Sequence, residues 1–246
     1  MEIFLDTANL EEVLRWLEYG LLDGVTTNPS IMLKDGGYDM EERAKEIACL
    51  VEPRPVSVEV TTNDRAEMLG QAHRIASWAT NIVVKIPVIN EYGQPCLGVV
   101  RDLETSGIRV NVTACLSYGQ AILGAKAGAT YVSIFAGRVA DEGHDPSVLI
   151  REVTDWLERW GSPTKIIVGS IRETVNIKDA AVAGAHVITV PPAFLEKFVD
   201  HKYSRETVRG FNEDAAKALA RMEELQAIAL RQSSGQALRA GGRVRQ

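Results

Sequence analysis

The sequence predicts an α/β protein, a single (β/α)8 TIM barrel with an additional C-terminal helix. Three observations lead there. Short runs rich in β-branched residues recur eight times and alternate with helical patterns from one end of the chain to the other. The joints leading from helix back to strand repeat one device: Ala125-Lys126-Ala127-Gly128-Ala129 precedes the sixth strand, Ala181-Val182-Ala183-Gly184-Ala185 precedes the eighth, and Gly20 and Gly107 occupy similar joints. Glycine after a helix suits the left-handed cap that turns the chain back into a sheet. Finally, no glycine-rich dinucleotide turn follows the first strand, which together with the even spacing favours a closed barrel over an open doubly wound sheet.

In chain order, strands are expected at 2–5, 23–26, 56–60, 82–86, 108–112, 130–135, 165–169 and 186–190. Each is a short apolar or β-branched run bounded by turn residues. Helical periodicity fills intervals at 9–19, 39–50, 64–79, 117–127, 146–160 and 173–182, and a long helix is expected at about 205–230. The βα repeat has no linker, so residues 1–230 read as one domain including the C-terminal helix. Residues 231–246, with Gly235, Gly241 and Gly242 and several arginines, read as a flexible basic tail.

Composition narrows the function classes. The 246 residues are 46% hydrophobic and 24% charged, as in a globular protein, and contain no apolar run of the roughly 18 residues a membrane span needs. The start, Met1-Glu2-Ile3-Phe4-Leu5-Asp6, has an early acid and only a short apolar stretch, unlike a signal peptide, so a soluble, cytoplasmic protein without a membrane partner is expected. Cys49, Cys96 and Cys115 are widely spaced and odd in number, which fits neither a disulfide framework nor a paired-cysteine metal site. Net charge is −6, and the last eighteen residues hold four arginines and no acid, leaving −10 on residues 1–228. A body of that charge is a poor partner for nucleic acid.

Lys85 is the most informative single residue. It lies in Ile82-Val83-Val84-Lys85-Ile86-Pro87, one amine on a strand of branched apolar residues. Taking an ammonium out of water is costly, and an amine held in apolar surroundings is suited to attack a carbonyl; a lysine at a strand end that reaches solvent or a carboxylate is the competing reading. Period-two alternation points Val83 and Lys85 one way and Ile82, Val84 and Ile86 the other, towards the helix layer.

Barrel chemistry gathers at the C-terminal strand ends. Those ends deliver Asp6, the run Thr26-Thr27-Asn28-Pro29-Ser30, Glu59, Lys85, Asn111 with Thr113, Ser133 with Phe135, and Ser170 with Arg172. A carbonyl-attacking lysine needs a carboxylate to move protons, a second acid or bound water for dehydration, and donors that orient hydroxyls; Asp6, Glu59, Thr113, Asn28 and Asn111 match those needs. Taken singly, each has a structural explanation. Asp6 could cap the helix starting near Asn9, Asn28-Pro29 could be a turn, and Glu59 could belong to a buried ion pair. Arg138 and Arg172, from neighbouring strand ends, make with Ser170 a reasonable phosphate site. The run Asp141-Glu142-Gly143-His144-Asp145 reads as solvated loop rather than metal site, because contiguous acids do not converge easily on one ion.

With these residues in view, Phe4-Leu5-Asp6-Thr7-Ala8-Asn9, Gly24-Val25-Thr26-Thr27-Asn28-Pro29-Ser30, Val84-Lys85-Ile86-Pro87, Asn111-Val112-Thr113 and Ser170-Ile171-Arg172 resemble the small transaldolases, relatives of fructose-6-phosphate aldolase, from residue 1 to about residue 215. The resemblance implies that Lys85 forms a Schiff base with the C2 carbonyl of a ketose phosphate and that Asp6 takes the C4 hydroxyl proton as the C3–C4 bond breaks. It implies that Glu59 and Thr113 hold a proton-shuttling water, that Asn28, Asn111 and Ser133 hold the dihydroxyacetone unit beside Thr26, and that Arg138, Ser170 and Arg172 bind phosphate. It implies no metal and no organic cofactor, sugar phosphates as the partners, and a homo-oligomer, a pentamer or decamer built through the C-terminal helix.

Two positions bear on the reaction. The aldolase branch has glutamine at the position of Glu59 and tyrosine at that of Phe135, so this sequence resembles the transferase branch; release of free dihydroxyacetone is the alternative, and a non-catalytic sugar-phosphate-binding barrel a more distant one. The segment Val88-Ile89-Asn90-Glu91-Tyr92-Gly93-Gln94-Pro95-Cys96 is longer and more irregular than the family's usual loop at this place, so the acceptor sugar could differ from the housekeeping ones. Leu116-Ser117-Tyr118 and Val190-Pro191-Pro192 also depart from the family pattern.

Overall fold

The computed structural model describes residues 1–241, with side chains through residue 232. Among the described residues the chain alternates as β1 (Glu2–Asp6), α1 (Leu10–Glu18), β2 (Gly24–Thr26), α2 (Pro29–Lys34), α3 (Met40–Val51), β3 (Val56–Glu59), α4 (Arg65–Ala76), β4 (Ile82–Pro87), α5 (Leu97–Thr105), β5 (Val110–Cys115), α6 (Tyr118–Lys126), β6 (Tyr131–Phe135), α7 (Ala136–Asp141), α8 (Pro146–Arg159), β7 (Lys165–Gly169), α9 (Thr174–Val182), β8 (Val187–Val190), α10 (Pro192–Val199) and α11 (Lys202–Gly241). The strands close in sequence order into a parallel barrel, β1 pairing with both β2 and β8. The expected (β/α)8 barrel with a C-terminal helix is therefore present.

Local chemistry sets the boundaries. Asn9, Asn28, Asp39, Asp64, Ser117 and Asp145 each accept a backbone N–H with the side chain at a helix start, and Pro29 and Pro146 stand in first turns, where their missing N–H costs nothing. Gly128 and Gly184 have φ of +92° and +96° at the joints into β6 and β8, as their sequence context predicts.

Side-chain alternation separates two apolar layers. Ile82, Val84 and Ile86 of β4 belong to the large cluster between sheet and helices, whereas Phe4, Val83, Tyr131, Ile167 and Val187 form a small cluster of their own. Two residues further along the same strands stand Asp6, Lys85, Ser133, Gly169 and Thr189. The apolar set fills the barrel interior, and the polar set forms the layer above it at the C-terminal end. Gly24 makes room for the lower layer, because a Cβ there would come 2.7 Å from the Phe4 ring.

The chain divides into two compact units, Met1–Lys197, which holds the barrel, and the segment from Phe198 onward. The second is dominated by α11, whose backbone stays helical to Gly241, eleven residues beyond the expected end. Alanine, leucine, glutamine and arginine in 231–240 are good helix formers and explain the continuation. Of the basic tail read at 231–246, side chains are described only for 231 and 232, and residues 242–246 lie outside the described residues. Among the described residues no helix is long and apolar enough to cross a membrane.

Candidate active site

Lys85 is buried, 4% exposed, and its ammonium is not left among hydrocarbon. Its Nζ donates to the Thr27 carbonyl at 2.9 Å and lies 3.3 Å from Glu59 Oε2. Parallel pairing of β3 with β4 sets Glu59 beside Lys85 in register, and β4 pairs with β5 so that Asn111 is the partner of Lys85 and Thr113 that of Pro87. To the apolar neighbours evident in the sequence, the fold adds a carboxylate and a carbonyl that hold the amine in place.

The cavity at this strand end, about 150 Å3, is lined by Asp6, Thr26, Asn28, Lys85, Ser133, Phe135, Arg138, Gly169, Ser170 and Thr189. Eight of the twelve residues read from the sequence as a site thus converge on it directly. Glu59 reaches it through Lys85, and Asn111 through Ser133, whose Oγ donates to Asn111 Oδ1 at 2.7 Å while Asn111 Nδ2 donates to Ser57 Oγ at 3.3 Å. Thr113 is fully buried, and its Oγ1 has no hydrogen-bond partner among the described residues. Thr113 does not line the cavity; its link to the Lys85 strand is the register of β5 against β4.

Asp6 does not cap α1; Asn9 does, accepting from Glu11 N and Glu12 N. The carboxylate instead accepts from Thr26 Oγ1 at 2.7 Å. Desolvation pushes the Asp6 carboxyl above the usual aspartate range, against the opposing pull of the Thr26 hydroxyl and the Lys85 ammonium, while Asp35 pushes it up further. Asn28 has two tasks: its Oδ1 caps α2 at Ile31 N, at 2.9 Å, and it lines the cavity.

In α7, Arg138 stacks over the Phe135 ring, its guanidinium carbon 5.8 Å from the centroid. Arg172 does not line the cavity; its guanidinium pairs with Asp141, both half exposed. The loop read as simply solvated therefore contains an ion-pair partner, Asp141, and a helix cap, Asp145, whose Oδ1 accepts Ser147 N at 2.8 Å. Two residues here have a left-handed backbone without being glycine: Ser170 at φ +58° and Ala114 at φ +60°. Such strain costs on the order of 1–3 kcal/mol and clusters at functional sites. Ser170 uses it to turn its carbonyl to Gly137 N, at 3.1 Å. Ala114 follows Thr113 where the β5–β6 register shifts.

Three contributors escaped the sequence reading. Thr189 and Ser57 obey the same alternation as their strand mates, Val187 and Glu59, and lie one and two residues before the ends of β8 and β3, so the strand-end rule extended inward reaches both. Gly137 carries no such signal. A Cβ on it would lie 2.3 Å from the Ser170 carbonyl oxygen, so only glycine lets the start of α7 meet the β7 loop.

Comparison with known proteins agrees with this architecture. The family described as transaldolase/fructose-6-phosphate aldolase matches residues 3–241. A probable transaldolase of Dehalococcoides mccartyi is 42% identical over 214 residues, 87% of this chain and 97% of the relative. A probable transaldolase 2 of Listeria monocytogenes is also 42% identical over 214 residues, 87% of this chain and 95% of the relative. Among solved structures, thiamine phosphate pyrophosphorylase from Pyrococcus furiosus superposes with a TM-score of 0.54 at 14% identity, over 77% of this chain and 85% of that one. A flavocytochrome b2 variant with sulfite bound gives 0.58 at 12% identity, over 79% of this chain and 58% of that one. At such identities the solved structures share the barrel only. From the family match and these relatives, the chain belongs to the transaldolase/fructose-6-phosphate aldolase family.

Proposed function

We propose that this chain is a Schiff-base transaldolase that moves a dihydroxyacetone unit from a ketose phosphate to an aldose phosphate in the cytoplasm. The observation that carries the reading is Lys85: a buried amine 3.3 Å from the Glu59 carboxylate, at a cavity that also holds Asp6.

The steps follow from these positions. The Lys85 amine adds to the C2 carbonyl, and the carbinolamine loses water to give an iminium, with Glu59 and Thr113 handling the proton through a water at the Thr113 hydroxyl. Asp6 then takes the C4 hydroxyl proton; the C3–C4 bond breaks, its electron pair moves to C3 and neutralises the iminium as an enamine, and C4 leaves as an aldehyde. Ser133, Asn111, Asn28 and Thr26 hold the hydroxyls of the retained unit. Arg138 with Ser170 receives the phosphate, and Arg172 joins them by leaving Asp141. The acceptor aldehyde is attacked by C3, Asp6 returns its proton, and hydrolysis frees Lys85.

Phe135 supports transfer over release. It lines the cavity beside Arg138 and brings no hydroxyl to protonate the enamine. The relatives named probable transaldolase favour the same branch. Product analysis decides between them. With an aldose phosphate present, a new ketose phosphate is expected, and without it little free dihydroxyacetone; Glu59→Gln with Phe135→Tyr shifts products toward release. Stoichiometric dihydroxyacetone from the unchanged protein, whatever the acceptor, would establish the aldolase reading instead.

The same reading includes a homo-oligomer assembled through α11, because Val208, Phe211, Leu219, Met222 and Leu225 are all more than half exposed along it. Sedimentation of Met222→Glu with Leu225→Glu tests this, and an unchanged assembly would refute it.

A further inference from the structure

Beyond the residues given roles above, the cavity holds one polar side chain without a task, Thr189. It stands on β8, 5% exposed, and its Oγ1 lies 2.5 Å from Thr26 Oγ1, itself 2% exposed. Thr26 Oγ1 also lies 2.7 Å from Asp6 Oδ1. Proton counting fixes the direction of this chain. A threonine hydroxyl has one proton, and an ionised carboxylate has none to give. With Asp6 ionised, the Thr26 proton goes to Asp6, so the bond between the two threonines is donated by Thr189.

The order is then Thr189 to Thr26 to Asp6, two hydroxyls aimed at one carboxylate. Consecutive hydrogen bonds polarise each other: a Thr26 oxygen that accepts from Thr189 makes its own proton a stronger donor. This matters at Asp6 because burial opposes its charge. The charged groups acting on Asp6 are Lys85 on β4, which favours the carboxylate, and Asp35 after α2, which disfavours it. Glu59, paired with Lys85, and Arg138, which lines the cavity, are the other charged side chains of the site.

We propose that Thr189 is a positioning residue that acts through Thr26 to orient and hold the Asp6 carboxylate as the ionised base. It touches no reacting atom in this role. The inference rests on the reading of Asp6 as the base, and its test separates the two.

The experiment is a titration of the Asp6 carboxyl by carbon-13 NMR on protein labelled at the aspartate carboxyls, with Asp6→Asn assigning the resonance. Valine keeps the branched shape that suits β8 and removes only the hydroxyl. In Thr189→Val the Asp6 midpoint is expected to move to higher pH by about half a unit, and the rate on the acid side of the pH profile to fall about threefold. In Thr189→Ser both return toward the original values. If the valine variant packs poorly, Thr189→Ala gives the same comparison. A midpoint that stays in place or moves to lower pH would overturn the proposal. A midpoint that moves as expected while Asp6→Asn keeps full transfer activity would leave Thr189 as a support of the ionised Asp6 carboxylate and refute Asp6 as the base.

Discussion

Asp6 occupies a position that is costly to the fold. Its carboxyl is pushed above the usual aspartate range chiefly by desolvation, so the folded protein holds that proton more tightly than the unfolded chain does. The sign for stability follows. A carboxyl raised in this way contributes fully below its unfolded value, about 3.9, and the contribution is lost as pH rises through the folded value. At neutral pH the native protein therefore bears the ionisation cost. Replacing Asp6 with Asn removes the charge and keeps an oxygen for Thr26 to donate to. Thermal melts at pH 7 are expected to show Asp6→Asn with the higher Tm, the gain shrinking as the pH is lowered toward about 4. Loss of the base is expected to lower transfer activity about 100-fold or more. A lower Tm at pH 7 together with undiminished activity would mean that Asp6 is structural.

Strands and loops differ in how much of the site they expose to a reader of the sequence. Lys85, Asp6, Glu59 and Ser133 are legible because a strand has period two, and once the barrel is assumed the inward set at the C-terminal end follows. Loop residues obey no such rule. Arg172 reads as a phosphate ligand, yet its guanidinium pairs with Asp141, a contact between the loop after β7 and the end of α7 that no spacing announces. Gly137 is the clearest case. The α7 start and the strained Ser170 approach so closely that a methyl group would sit 2.3 Å from a carbonyl oxygen and 2.8 Å from Arg172 Nε. Gly137→Ala must push the two loops apart. Overpacking of this kind costs roughly 1–3 kcal/mol, and a lower Tm by a corresponding amount is expected together with a raised KM for sugar phosphates. An unaltered KM would remove Arg138, Ser170 and Arg172 from phosphate binding.

Across the whole molecule, the closed topology brings together residues separated by up to 183 positions in sequence: Asp6 opens the barrel, Thr189 closes it, and Thr26 joins them because β1 pairs with both β2 and β8. The periodic strands and the glycine joints make that closure readable in advance. The extent of α11 was not, since a run of arginine, serine, glycine and alanine after residue 230 carries equal cues for helix and for flexible chain. The barrel's two interior layers, apolar below and polar above, assign stability to one and chemistry to the other, and the chemistry centres on one amine. Its most direct test is borohydride reduction in the presence of a ketose phosphate, followed by peptide mass analysis. The account predicts a dihydroxyacetone-derived mass added at Lys85, and none in Lys85→Ala. A protein that transfers the three-carbon unit with Lys85 unlabelled, or with Lys85→Ala fully active, would contradict it.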